Sequence, residues 1–299
     1  MTYDDIAAIF LVPLAEPIPE PIVAATPARR LRDALEPIAT QGWWSRAAGE
    51  RMNALGVDFL PGYVWGRAAA LGAPSAALVA ATFGVFDPAL IGSVYDVGVA
   101  SVTRDDILAA RADGGAASVS AVASDAECAA IADALLDAVN GLDGIGRPLF
   151  SALRSLPVPA SPGGRLWRAA ELVREHRGDG HLAVLVGAGL DAIEANVFTE
   201  RWLGFELGEY SGTRGFGPEA LAAAVRNLNV RGWMDGDDLT DAGREARDAI
   251  EAATDRSQAS LIVACGSALD AVVAGAEVIS ARLIEARSFP ADPRKRAGG

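Results

Sequence analysis

Alanine-rich runs, punctuated by helix-start signals, constrain this chain most. Gly72-Ala73-Pro74-Ser75, Asp87-Pro88, Thr103-Arg104-Asp105-Asp106 and Gly217-Pro218 each set a capping or first-turn residue ahead of an Ala- and Leu-bearing stretch. Proline at the first helical position gives up an N–H that has no partner there anyway, and Thr or Asp side chains accept from the free N–H groups of the first turn. Runs of β-branched residues are short, so the segments between these signals read as helices. The expected fold class is mainly α.

Composition narrows the partners. The formal net charge is -13, with basic residues dispersed and Lys295 the only lysine. Such a field repels phosphate backbones and anionic lipid, so nucleic acid and membrane are not expected partners. The apolar patch Ile6 to Val12 follows Asp4 and Asp5 and is cut off by Pro13, Pro17, Pro19 and Pro21. It is too short to span a bilayer and lacks the positive start of a signal peptide, which gives the expectation of a cytoplasmic chain. Cys128 and Cys265 have no metal-type spacing and read as small buried hydrophobes.

The chain divides into five expected parts: a Pro-rich extended arm at 1–27, a first half at 28–112, a linker with connecting helices at 113–163, a second half at 164–254, and a C-terminal helix and tail at 255–299. Residues 113–124, rich in Gly, Ala and Ser, mark the clearest linker. A small β element is expected only where Asp235-Gly236-Asp237-Asp238 makes a tight turn after Trp233-Met234.

The only two histidines, His176 and His181, fall in one string, Glu175-His176-Arg177-Gly178-Asp179-Gly180-His181. Its glycines predict a break between two helices over Arg177 to Gly180, with Asp179 capping the second. Three readings stay open. His176 and His181 could ligate a metal with Asp179 or Glu175 as third ligand, although the spacing matches no usual metal motif. One histidine near neutral pKa could serve as acid or base, oriented by Asp179 or Glu175, while Arg177 anchors an anionic group. Alternatively the string is structural, with charges serving helix ends and glycines permitting a turn. No cofactor is indicated. A second cluster, Trp43, Trp44, Tyr63, Trp65, Phe83 and Phe86 with Arg67, is either core or the lining of a flat apolar pocket for an aromatic ligand.

Leu228-Asn229-Val230-Arg231-Gly232-Trp233, the Asp235 to Asp238 turn and Leu239-Thr240-Asp241-Ala242-Gly243-Arg244 together resemble the MarR-type winged helix. The resemblance implies a recognition helix at Pro218 to Val230 followed by a wing. Where DNA binding needs basic and base-reading side chains, however, this chain has Asp235, Asp237, Asp238 and Asp241, and Ala220, Ala222, Ala223 and Ala224. The first half can be laid on the second through Arg30-Leu31 on Arg165-Leu166, Val57-Asp58 on Leu190-Asp191 and Val64-Trp65 on Val197-Phe198. The expected architecture is thus a duplicated, pseudo-dimeric winged-helix arrangement with small β wings. The whole, with its His-Arg-Gly-Asp-Gly-His string, is similar to an actinobacterial family of helix-turn-helix-like proteins over about residues 28–285.

Three functional expectations follow. The first is a small-molecule-binding protein, accessory or biosynthetic, whose pocket joins the Trp43 to Arg67 region to the His176 to His181 string and takes an apolar or aromatic ligand. The second is an enzyme using His176 or His181. The third is a MarR-like transcription regulator. A homodimer fits the first and third.

Overall fold

The computed structural model describes residues 2–19 and 23–298. It is mainly helical, and its organising element is a 26-residue helix, Pro162–Gly187. Ser161 caps that helix through its hydroxyl, which accepts from Gly164 N, and Pro162 fills the first helical position. Around this central helix pack Pro27–Ala39, Arg104–Val122, Asp125–Asn140, Pro148–Arg154 and Asp241–Arg256. Leu31, Leu35 and Ile38 from the first of these meet Trp167, Leu166 and Val173 in the largest core, from which water is excluded.

Each half then builds a smaller core, and that of the second half takes in Leu185 at the C-terminal end of the central helix. In the first half, Phe59–Ala68, Ala76–Phe83 and Pro88–Ser101 bury Val64, Trp65, Phe83, Ile91 and Tyr95. In the second half, Ala192–Leu203 and Pro218–Val230 bury Val197, Phe198 and Leu228, together with Met234 and Leu239 of the wing. The wing is an antiparallel pair, Met234–Asp235 and Asp238–Leu239, pairing Met234 with Leu239 and Asp235 with Asp238. Gly236 takes φ 59° at its turn, and the Asn229 side chain brackets that glycine by donating to its carbonyl and accepting from its N–H. Val64 and Trp65 belong to the first of these cores, and Val197 and Phe198 to the second. The expected pair of wings is reduced to one: among the described residues the strands lie in the second half alone.

Four expectations change. The Glu175 to His181 string is not a break: the central helix runs through it uninterrupted. Gly178 and Gly180 there hold ordinary helical backbone, and Gly180 gives room to Arg147 and Ser257, whose side-chain atoms lie 2.6 Å from where a Cβ would stand. Residues 113–122 are not a linker but the second half of the helix Arg104–Val122. Its glycines allow close approach instead of flexibility: a Cβ on Gly114 would lie 2.4 Å from Ala48 Cα, and one on Gly115 would lie 2.7 Å from the Trp167 ring. The N-terminal arm is not wholly extended. Tyr3–Phe10 is a helix with a Thr2/Asp5 capping box, and its Tyr3 is buried against Gly49; part of the arm, residues 20–22, lies outside the described residues. The last long helix is interrupted, as Ala259–Cys265 and Leu269–Glu285 meet at a 3-10 turn, Gly266–Ala268.

Taken as one stretch, Ala259–Glu285 is long and apolar enough by length and composition to cross a membrane. Here its buried residues Leu261, Val272, Val273, Ala276, Ile279 and Leu283 belong to the central core.

The close contact at Gly114 yields a test. Gly114→Ala forces a methyl group against the Ala48 backbone and lowers stability by about 1–3 kcal/mol in urea unfolding. A linker at this place would tolerate the same change without loss.

Candidate functional site

Polar side chains on the central helix are buried and are paired one after another along its length. Glu171 meets Arg111 of Arg104–Val122 and its own Arg168, at 2.9 Å for the latter. Glu175 is held by Arg67 of Phe59–Ala68, whose Nη2 lies 2.9 Å from both carboxylate oxygens, and by Arg174 at 2.7 Å. Arg174 also reaches Glu36 of Pro27–Ala39 at 3.0 Å. Arg177 pairs with Glu251 of Asp241–Arg256 at 2.8 Å, and Glu251 in turn meets Arg29 and Arg247. Charges this deep survive because each lies within ion-pair distance of an opposite charge. The Arg67 and Arg174 guanidiniums hold the Glu175 carboxyl below its ordinary range against the opposing effect of burial.

Two adjoining cavities open beside this ladder. The inner one, about 120 Å³, is lined by Arg67, Arg174, Arg177, Asp179, His181 and Asn196, among others. The outer one, about 420 Å³, is lined mainly by apolar and aromatic groups that include Ile6, Phe10, Trp43, Trp44, Phe59 and Leu60. Glu36, Tyr63, Phe86, Arg174, Tyr210 and Arg214 contribute to both, so the two share a wall.

The structure therefore brings together most of the residues that the sequence nominated. Tyr63, Arg67, Arg177, Asp179 and His181 line the inner cavity, and Trp43, Trp44 and Tyr63 the outer one. Trp43 meets Tyr63 edge to face at 5.3 Å between ring centroids, with the Arg67 guanidinium 5.9 Å from its own centroid. Two nominated residues line neither cavity. Trp65 is a core residue, donating from its indole N–H to Val102 O at 3.1 Å and packed edge-on against Tyr95. His176 is buried behind the helix, its Nδ1 2.7 Å from Gln258 Oε1 and its ring edge-on to Phe150.

Protonation differs from the sequence expectation of a histidine near neutral pKa. Burial pushes His176 down to about 4, and loss of solvent pushes His181, whose Nδ1 sits 2.8 Å from Thr254 Oγ1, down to about 3. Both rings are neutral at pH 7. Asp179 moves the other way. Burial raises it to about 7, opposed by the hydrogen bond its Oδ2 accepts from Phe150 N at 3.0 Å, while its Oδ1 has no protein partner. Asp179 is thus no helix cap, and it is the group at this site that titrates near neutrality. Arg177, expected to anchor an anion, is already committed to Glu251. For the metal reading of His176 and His181, no group of three or more His, Cys, Asp or Glu side chains is placed to hold an ion among the described residues.

Sequence reasoning missed Glu36, Arg174, Tyr210, Arg214 and Lys295. Arg214 and Tyr210 sit on the loop after Ala192–Leu203, which is fixed by the buried Glu200 carboxylate accepting from Gly208 N, Tyr210 N and Ser211 N. Lys295 arrives from the C-terminal segment, anchored by Arg294, which binds Asp292 and donates to Gly204 O. The one signal available for either was that Lys295 is the only lysine.

The arrangement of helix, turn, helix and two-stranded wing in the second half defines a helix-turn-helix scaffold. The chain belongs to a helix-turn-helix family, which it matches over residues 28–290. No curated protein and no solved structure matches it.

Linkage gives opposite pH signatures for the two kinds of group. Asp179, raised from 3.8 to about 7, contributes stability that is present at low pH and lost as pH rises through that interval. His181, lowered from 6.5 to about 3, contributes stability that is present above 6.5 and lost as pH falls. Urea midpoints across this range are expected to show Asp179→Asn gaining on the parent as pH rises from about 4 to about 7, and His181→Gln gaining as pH falls from about 6.5. Parallel curves for parent and variants would remove both assignments.

Proposed function

We propose that this chain is a small-molecule-binding protein, accessory or biosynthetic, built on a helix-turn-helix scaffold that does not read DNA. The observation that carries it is the shared wall between an aromatic cavity of about 420 Å³ and an arginine-lined one of about 120 Å³. Ligand sites are concave and mostly apolar, with a few convergent polar groups, and this pair has that composition.

The surface that a MarR-like regulator would use supports the same reading. The helix Pro218–Val230 exposes Ala222, Arg226 and Val230, and the wing exposes Asp235, Asp237 and Asp238. Carboxylates on the wing face phosphate with the wrong sign, and alanine has no group to read a base edge. Fluorescence anisotropy with a labelled random-sequence duplex is expected to show no binding even at low ionic strength. A salt-sensitive complex would restore the regulator. For the ligand site, titration with a bicyclic aromatic, 2-naphthoate or 2-naphthalenemethanol, is expected to change tryptophan emission saturably and to do so more weakly in Trp44→Ala. Failure of both probes to saturate would overturn the reading.

A second reading, an enzyme with Asp179 as its acid or base, is favoured by one observation. That carboxyl lines the inner cavity with a pKa raised to about 7 and one oxygen unpartnered. A carboxyl-carbon NMR titration that places its midpoint within the ordinary carboxylate range would dismiss it.

A further inference from the structure

Two cations that line the outer cavity, Arg214 and Lys295, stand outside the ion pairs found among the described residues. Every other arginine that lines either cavity is paired: Arg67 with Glu175, Arg174 with Glu36 and Glu175, Arg177 with Glu251, and Arg32 with Asp33. Arg214 and Lys295 make no ion pair among the described residues. The Arg214 guanidinium donates to Tyr210 Oη at 2.8 Å and Thr213 Oγ1 at 3.0 Å, and its buried Nε has no partner. Lys295 lies over aromatic faces, with Nζ 4.7 Å from the Phe205 centroid and 5.7 Å from that of Tyr210. The Arg214 guanidinium lies 4.3 Å from the same Tyr210 centroid, so the two cations meet over one ring. Asp292 and Glu209 are engaged by Arg294.

Two like charges held together beside an apolar cavity repel each other and are costly to desolvate without a counter-charge. Burial and the neighbouring Arg214 lower the Lys295 pKa accordingly. The carboxylates nearby are taken by other arginines: Glu36 by Arg174, and Asp292 and Glu209, which lie within electrostatic reach of Lys295, by Arg294.

We infer that the outer cavity takes an aromatic anion, its ring system against Trp43, Trp44 and Phe59 and its single acidic head bound by Arg214 and Lys295. This rests on the small-molecule reading of the same cavities and names the ligand class. An arginine presents a fork suited to one carboxylate or sulfonate face, and a lysine adds a point charge beside it. Ile6, Ile9, Phe10 and Lys295, which help to line the cavity, come from outside the family-matched residues 28–290. The proposed site thus joins Arg214, Trp43, Trp44 and Phe59 from within the matched residues to Lys295 from outside them.

The test is isothermal titration of the full chain with 2-naphthoate and with its uncharged analogue 2-naphthalenemethanol. The anion is expected to bind about tenfold or more tightly than the alcohol. Lys295→Gln and Arg214→Gln should each remove most of that advantage, read as the ratio of anion to alcohol affinity, and Arg214→Lys should keep part of it. Equal binding of both probes, or an anion preference unchanged in Lys295→Gln and Arg214→Gln, overturns the aromatic-anion inference and leaves the small-molecule reading standing. If neither probe binds, the reading itself fails and the inference with it.

Discussion

The buried ion ladder on Pro162–Gly187 is the constraint on which the rest of the structure depends. Breaking one partner out of such a pair costs about 3–5 kcal/mol, because the remaining charge stays buried without compensation. Glu171, Glu175 and Arg177 therefore fix the positions of the helices that carry Arg111, Arg67 and Glu251. Close apolar packing, such as Gly114 on Ala48 and Gly115 on Trp167, sets register sterically. The paired charges reinforce it, since a guanidinium moved by one helical turn loses its carboxylate.

This ladder also explains where the cavities are. Arg67 of Phe59–Ala68 reaches across to Glu175, and Arg174 reaches Glu36, and these side chains form one wall of the inner cavity. Its charged walls are satisfied among themselves, which leaves Asp179 Oδ1 as the unpartnered acidic atom there and Arg214 with Lys295 as the cations available at the outer wall. The chemistry open to a ligand is set by what the ladder does not consume.

The residues of the candidate site were partly legible in the sequence. The aromatic cluster and the histidine string were both visible, and the structure does place Tyr63, Arg67, Arg177, Asp179 and His181 on one cavity. Roles were less legible than places. His176 looked reactive because histidine is rare in this chain, but its Nδ1 is taken by Gln258, a residue far away in sequence. Asp179 looked like a helix cap because glycines flank it, and it is instead an acid whose pKa is raised by burial against the opposing hydrogen bond from Phe150 N. The Gly- and Ser-rich stretch at 113–122 shows the same limit, since glycine marks a loop and a tight helix crossing with the same letter.

Local pattern determined the helical class, most helix starts and the acidic wing, because caps, first-turn prolines and turn glycines act within four or five residues. Tertiary structure alone decided that the central helix continues through Gly178 and Gly180. At Gly180 the helix passes under Arg147 and Ser257, which leave no room for a Cβ, and the packing repays the poor intrinsic propensity of glycine there. It also decided which charges are spent in pairs and which remain for a ligand. That depends on distances between side chains up to more than two hundred positions apart, such as Arg29 and Glu251, which no local pattern encodes.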